Sequence, residues 1–187
     1  MKFSLKVNTY NKGNISSIFQ ESNQITEEVI SHKPKKPKNK SDKTALIQRH
    51  KTEGIQFAEK GDLELSVKSF EEAIKLSTHD STIFEMKSQV HLRLNQIFPA
   101  IIDAHKSIEL SPTWGAAYQT LGRAQLGHGD LDLALKNFQK CLHSEPDNTE
   151  ARDEDIPWCM ELVKQKRIME KRIKFQSEMS LEMEVDS

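Results

Sequence analysis

The stretch that decides the fold is GAAYQTLGRAQLGHG, residues 115–129. Its apolar and small residues recur three and four positions apart, which predicts one amphipathic helix followed by a tight turn at Gly129 and Asp130. Gly122 lies inside this helix, where a glycine costs about 1 kcal/mol relative to alanine. A closely approaching helix explains that glycine, and residues 131–142 supply a second helical pattern. Because such a pair cannot bury its apolar flank alone, the sequence predicts further copies.

The pattern occurs three times with a period of 34 residues, the distance between Pro112 and Pro146. The copies span residues 47–80, 81–114 and 115–148 without a gap. Small residues fill three positions in every copy, where helices must touch. They are Gly54, Ser88 and Gly122, then Ser66, Ala100 and Ala134, then Ala73, Ser107 and Cys141. The sequence therefore predicts three helix–turn–helix units that pack through small side chains.

This spacing resembles the tetratricopeptide repeat, a helix–turn–helix unit of 34 residues. The resemblance implies an all-α solenoid of three such units plus a C-terminal capping helix, between flexible tails. Three segments are similar to a small three-repeat member of the family: FEMKSQV at 84–90, FPA at 98–100 and QTLGRAQLG at 119–127. The chain departs from the family pattern where His91, Ala104 and Gln125 replace aromatic residues. We expect looser packing at those positions.

We expect the repeat domain to occupy residues 43–175, between a disordered tail at 1–42 and a disordered acidic tail at 176–187. The N-terminal tail lacks sustained periodicity and ends in a Lys- and Pro-rich linker, whose prolines block a helix. Asp42 is the predicted N-cap of the first helix. A helical pattern over about 156–175 predicts a helix that caps the last unit. Pro157 is expected to interrupt or kink any helix that begins before it.

The first helices of the units line a hollow face in this family, and the resemblance places ten residues there. They are Lys51, Ile55, Thr82, Glu85, Met86, Gln89, Arg93, Gln119, Thr120 and Arg123. Packing between the helices does not require these positions, so we expect them to be free. A groove of this composition suits an extended peptide or a helix of another protein. The prediction is a protein–protein interaction adaptor in a larger intracellular complex; the alternative is that these are ordinary solvated helix residues.

Some family members hold chaperone C-terminal tails in a carboxylate clamp of Lys, Asn, Asn, Lys and Arg. The equivalent positions of this chain hold Lys51, Ile55, Met86, Ala116 and Thr120. One match in five does not surround a carboxylate with donors. The sequence therefore argues against chaperone tails as partners.

The composition indicates a modest core beside long solvated segments, because 36% of residues are hydrophobic and 29% are charged. The formal net charge of −1 gives no overall bias toward nucleic acid or acidic membranes. No apolar run approaches the ~18 residues that span a bilayer, and the first residues lack the apolar run of a signal peptide. Two cysteines far apart in the chain form no disulfide framework. These features favour an intracellular protein, cytoplasmic or nuclear, that does not enter the membrane.

No motif in the sequence predicts catalysis. The seven histidines show no metal-type spacing with one another or with cysteine. The chain has no phosphate-binding glycine loop and no nucleophile elbow. We therefore predict no catalytic residue, no metal site and no cofactor.

Two basic stretches leave alternatives open. Residues 33–43 carry six lysines, and residues 164–174 are also basic. The lysine-rich run fits a nuclear import signal, a nucleic-acid patch or a solvated linker, although the absence of nearby aromatics argues against base stacking. The alternative functions are a nucleic-acid-associated factor and a structural subunit that assembles with copies of itself.

Overall fold

A computed structural model describes the backbone of residues 40–185 and the surroundings of the side chains of residues 41–179. Residues 40–185 form seven α-helices, one π-helical turn and no strand. The helices are α1 Lys40–Lys60, α2 Leu63–Leu76, α3 Ser81–Arg93, α4 Ile97–Leu110, α5 Gly115–His128, α6 Leu131–Ser144 and α7 Ile156–Val185, with the π turn at Ala151–Asp155.

The chain divides into two compact units, one ending at Thr113 and the other beginning at Trp114. The first unit contains α1 to α4 and the second contains α5 to α7. The predicted N-terminal tail and its lysine-rich run lie outside the described residues, apart from 40–43. Asp42 does not cap α1, because the helix already begins at Lys40 and Asp42 lies in its first turn.

The small residues pack as the 34-residue period predicts. All nine are buried, in the first unit and in the second. Consecutive helices pair within each repeat, α1 with α2, α3 with α4 and α5 with α6. The serine hydroxyls add hydrogen bonds across two pairs: Ser66 Oγ donates to Gly54 O and Ser88 Oγ to Ala100 O, both at 2.7 Å.

Two buried glycines within helices, Gly54 and Gly122, face phenylalanine rings. A Cβ at Gly54 would lie 2.6 Å from Phe70 Cε1, and a Cβ at Gly122 would lie 2.6 Å from Phe138 Cε1. In the second repeat the same two positions hold Ser88 and Ala104. The first and third repeats therefore place a glycine against a phenylalanine ring, whereas the second repeat has two small residues at the same positions.

The turn inside each pair uses the same position of the repeat. Gly61 and Gly129 have φ of 89° and 95°, and Asn95 has φ of 58°. Glycine adopts this left-handed conformation without strain, and asparagine tolerates it better than most other residues. The conserved geometry fixes where the second helix of each pair begins.

Polar pairs stand at two of the positions where the aromatic residue is missing. Asn137 Nδ2 donates to Gln125 Oε1 at 2.6 Å, and His91 Nε2 lies 3.4 Å from Asp103 Oδ2. All four residues are buried, and looser packing at these positions stays a prediction. Burial raises the pKa of Asp103 above its ordinary value, although the nearby Lys87 ammonium opposes this.

The C-terminal helix packs on α6 through its first turns. Cys159 is fully buried, and its Sγ donates to Leu131 O at 3.3 Å. The π turn immediately precedes Pro157, which has no N–H to donate to residue 153 and so favours a local change of helical geometry. From there α7 continues to Val185, ten residues past the predicted boundary at 175. Residues 176–185 contain neither glycine nor proline to end it.

Candidate protein-binding site

The ten predicted groove residues lie on α1 and α3 in the first unit and on α5 in the second. Five are buried: Ile55, Glu85, Met86, Gln119 and Thr120. The other five are partly exposed: Lys51, Thr82, Gln89, Arg93 and Arg123. The packing argument predicted that all ten side chains would be free, but in the structure half of them are buried. Their role in binding stays a prediction.

Lys51 joins α1 to the start of α3. Its Nζ lies 3.0 Å from Asp80 Oδ2 and donates to Thr82 Oγ1 at 2.7 Å. Asp80 is also the N-cap of α3, because its Oδ1 accepts from the backbone N–H of Thr82. Burial alone would raise the pKa of Asp80, but the hydrogen bonds from Thr82 and Lys51 hold it below its ordinary value. Lys51 therefore stabilises the start of α3, and its side chain remains partly exposed.

The centre of the α1 and α3 face is apolar underneath and polar at its edge. Ile55 and Met86 are 6% and 7% exposed and belong to the core of the first unit. Glu85 is fully buried beside them, and the amide nitrogen of Gln89 donates to its Oε1. Gln89 itself is partly exposed, so its side chain links the buried carboxylate to the surface.

Arg93 closes the end of this face. Its Nη1 donates to the carbonyl oxygen of Ala58 at 2.6 Å, which ties α3 to α1. Burial lowers the pKa of Arg93 below its ordinary value. One guanidinium nitrogen is thereby used within the first unit, while the side chain remains partly exposed.

In the second unit, Gln119 and Arg123 contact the segment that follows α6. Arg123 Nε donates to Asp155 Oδ1 at 3.0 Å, and its Nη2 lies 2.9 Å from Asp155 Oδ2 and 3.0 Å from Glu150 Oε2. Gln119 Nε2 donates to Asp155 Oδ2 at 2.7 Å. Asp155 is fully buried. Burial alone would lower the pKa of Arg123, but the carboxylates of Asp155 and Glu150 raise it above its ordinary value.

The contacts of Gln119 repeat those of Lys51 at the same sequence separations. Lys51 contacts residues 29 and 31 positions later, Asp80 and Thr82. Gln119 contacts Asn148 and Glu150, also 29 and 31 positions later. The 34-residue period therefore continues past residue 148, and the segment from Asn148 to Asp155 takes the place of the start of a further first helix.

Sequence reasoning missed the side chains that bond to the groove residues. Asp80 accepts from Lys51 and Asp155 accepts from Gln119 and Arg123, whereas Asn148 donates to Gln119. Asp80 and Asn148 stand at the last position of copies one and three, so the period itself carried a signal for both. Asp155 carried a weaker signal, because its distance from Arg123 depends on the π turn, which the sequence pattern does not show.

Neither cysteine is suited to nucleophilic chemistry. Cys141 and Cys159 are free and buried. Burial raises the pKa of the Cys141 thiol to about 12 and also raises that of Cys159. The thiolate is the reactive form, so both thiols are poor nucleophiles at neutral pH.

The described part of the chain contains neither a cluster of metal-ligating side chains nor a helix that could span a membrane. Among those residues, no three His, Cys, Asp or Glu side chains are grouped so that they could hold a metal ion. None of the described helices combines the length and the apolar character needed to cross a bilayer.

Comparison with known proteins bears on the repeat itself. The family model described as "Tetratricopeptide repeat" matches residues 115–148, the third copy. The Mus musculus protein named "Tetratricopeptide repeat protein 33" is 40% identical over 124 residues, which cover 66% of this chain and 47% of the mouse protein. The chain is a tetratricopeptide repeat protein. It spans about half the length of the curated relatives it matches.

Solved structures show the same fold for this tetratricopeptide repeat protein. The first TPR domain of human RPAP3 aligns with a TM-score of 0.63 at 19% identity, covering 65% of this chain and 95% of that domain. The second TPR domain of human RPAP3, solved with the HSP70 peptide SGPTIEEVD, aligns with a TM-score of 0.60 at 19% identity, covering 63% and 98%. The predicted all-α fold of three helix–turn–helix units and a C-terminal helix is confirmed. At these identities the likeness shows the fold alone.

Proposed function

We propose that this tetratricopeptide repeat protein is a non-catalytic intracellular adaptor that holds a peptide or helix of another protein on the α1 and α3 face of its first unit. The observation that carries the proposal is the row of partly exposed side chains along that face. They are Lys51, Thr82, Gln89 and Arg93. The same two helices contribute the apolar pair Ile55 and Met86 to the core of the first unit.

The chemistry of this face favours a partner that presents hydrogen-bond acceptors. Lys51 and Arg93 carry only donors, and Gln89 and Thr82 can donate as well as accept. Backbone carbonyls of an extended peptide supply a regular series of acceptors. The peptide held by the second TPR domain of human RPAP3 supports the proposal, because it shows that this fold holds a peptide in that protein.

The first test removes two donors from the proposed face. We expect the double variant Gln89→Ala/Arg93→Ala to lose at least one partner by about tenfold in quantitative affinity purification, which corresponds to about 1.4 kcal/mol. The matched control is Gln56→Ala/Lys60→Ala, which removes a glutamine and a basic residue, also four positions apart, from exposed positions of α1 outside the predicted groove. Arg123 stays unchanged, because its substitution would break the ion pair with the fully buried Asp155. Gln89 and Arg93 also have internal contacts, with Glu85 and with the carbonyl oxygen of Ala58, so stability is measured beside binding.

The outcome is interpreted together with thermal unfolding of both double variants. Equal melting temperatures with partner loss only in the groove variant support the proposal. Retention of every partner by the groove variant, in a folded protein, contradicts it.

The sequence-based argument against chaperone tails leads to a separate prediction. The solved structures include TPR domains with chaperone peptides, so the comparisons do not support that argument. We nevertheless expect the HSP90 peptide SRMEEVD to bind this chain at least about 100-fold more weakly than it binds the first TPR domain of RPAP3. Four of the five clamp positions lack the required residue, and hydrogen bonds to charged groups contribute about 1.5–3 kcal/mol each. Isothermal titration of both proteins with this peptide makes the comparison, and similar dissociation constants would show the argument to be wrong.

A further inference from the structure

The outer part of α7 is exposed on all sides. Every side chain from Lys164 to Met179 is exposed. Five of them are large and apolar: Ile168, Met169, Ile173, Phe175 and Met179. Phe175 is 62% exposed and Ile173 is 61% exposed. Helices without tertiary packing are marginal in water, and a group of exposed apolar side chains marks an interaction site.

Four residues form one stripe along this part of α7. Ile168, Arg172, Phe175 and Met179 are spaced four, three and four positions apart. At ~100° per residue they lie within an arc of about 60° on the helix surface. Three of them, together with Lys171 and Gln176, line one shallow depression on the helix. The stripe is therefore a continuous strip that combines apolar side chains with one guanidinium.

The spacing along the stripe is the same in both directions, and reversal exchanges the positions of the cation and the ring. An apolar residue stands at each end, four positions from its neighbour, and the cation and the ring stand three positions apart in the middle. We propose that α7 pairs antiparallel with α7 of a second copy of this chain through this stripe. Ile168 then packs on Met179 of the second copy. Arg172 lies over the ring of Phe175 of the second copy, as a cation–π contact.

Charges beside the stripe complete the match. Lys171 and Glu178 flank the stripe on the same side, seven positions apart. In the antiparallel pair, Lys171 of each copy comes beside Glu178 of the other, so two equivalent ion pairs form by symmetry. Within one chain Glu178 lies 3.8 Å from Lys174 Nζ, a loose and exposed contact that leaves the carboxylate within reach of the second copy.

Charge distribution favours a second copy over other occupants. Residues 164–174 contain six basic residues and one acid, but α7 becomes acidic from Glu178 onward. An acidic protein or a lipid surface would match the first half and repel the second. The segment also offers nucleic acid a single aromatic ring, Phe175, for base stacking, because its other apolar side chains are aliphatic. Only an antiparallel copy brings the basic half and the acidic carboxylate together.

The test is a charge exchange in the full chain, read by sedimentation velocity over roughly 1–500 µM, because dimerisation depends on concentration. We expect Lys171→Glu and Glu178→Lys to weaken the dimer by about tenfold each, since each creates two like-charged contacts by symmetry. The double variant Lys171→Glu/Glu178→Lys should restore the wild-type dissociation constant to within about threefold. Phe175→Glu should leave the chain monomeric over the whole range.

The matched control exchanges charges on the other side of the same helix. Lys166→Glu, Glu170→Lys and their combination change α7 by the same charges but lie away from the stripe, so the dimer should remain as in wild type. A monomeric wild type throughout the concentration range would overturn the proposal. So would a dimer that survives Phe175→Glu, or binding of the monomer to phosphatidylserine vesicles or to RNA that is lost in Phe175→Glu.

Discussion

Replacing Gly122 with alanine is expected to lower the free energy of unfolding by about 1–3 kcal/mol. The added Cβ would lie 2.6 Å from Cε1 and 2.7 Å from Cδ1 of the Phe138 ring. The ring cannot move aside without disturbing its neighbours, because Phe138 is fully buried in the core of the second unit. Overpacking of this kind forces side chains from their rotamers or shifts the helices apart. Urea unfolding followed by circular dichroism measures the effect.

The same helix supplies a control of opposite sign. Gly127 lies in α5 and is exposed, so Gly127→Ala is expected to raise the unfolding free energy by up to about 1 kcal/mol through helix propensity alone. Adding Phe138→Leu to Gly122→Ala should cost less than the sum of the two single changes, because the smaller side chain makes room for the new methyl group. If Gly122→Ala and Gly127→Ala shift stability in the same direction, close packing at Gly122 is not the reason for its glycine.

The positions that join the helices of a pair could be predicted from the sequence because their constraint is steric and recurs every 34 residues. Gly54 with Phe70 and Gly122 with Phe138 have the same spacing, and the second repeat has two small residues, Ser88 and Ala104, at the same two positions. A small side chain is required wherever a ring lies opposite, so residue size alone carries the information. No knowledge of charge or solvent was needed.

The binding face was less predictable because its residues are polar and their contacts depend on three-dimensional detail. Position in the repeat predicted that Gln119 and Arg123 lie on the face. It did not reveal that they bond to the carboxylates of Asp155 and Glu150. Asp155 reaches Arg123 because the π turn, which ends two residues before Pro157, holds about one residue more per turn than an α-helix and so rotates the side chains that follow. A strict 3.6-residue pattern predicts a different orientation for that side chain.

The contact between Arg123 and Asp155 leads to the second large effect. We expect Asp155→Ala to lower the free energy of unfolding by about 3 kcal/mol, the low end of the cost of removing one partner from a buried ion pair, because Arg123 is partly exposed and keeps Glu150. Asp155 is fully buried and accepts hydrogen bonds from Arg123 and Gln119. Without it, the guanidinium retains only Glu150 and Gln119 loses its shortest hydrogen bond. The start of α7 should then detach from α5 and α6, which hydrogen exchange of the Ile156–Val185 amides would detect.

Asp153 provides the matched control, because it is a carboxylate two positions away that is exposed and pairs with its neighbour Arg152. Asp153→Ala should leave the unfolding free energy nearly unchanged. The double variant Arg123→Met/Asp155→Leu should be less destabilised than the sum of its single changes, since two apolar side chains remove the unpaired charge that either single change leaves. Equal stability of Asp155→Ala and Asp153→Ala would mean that the buried carboxylate does not fix the C-terminal helix. The packing of Ile156 and Cys159 on α6 would then be sufficient to hold it.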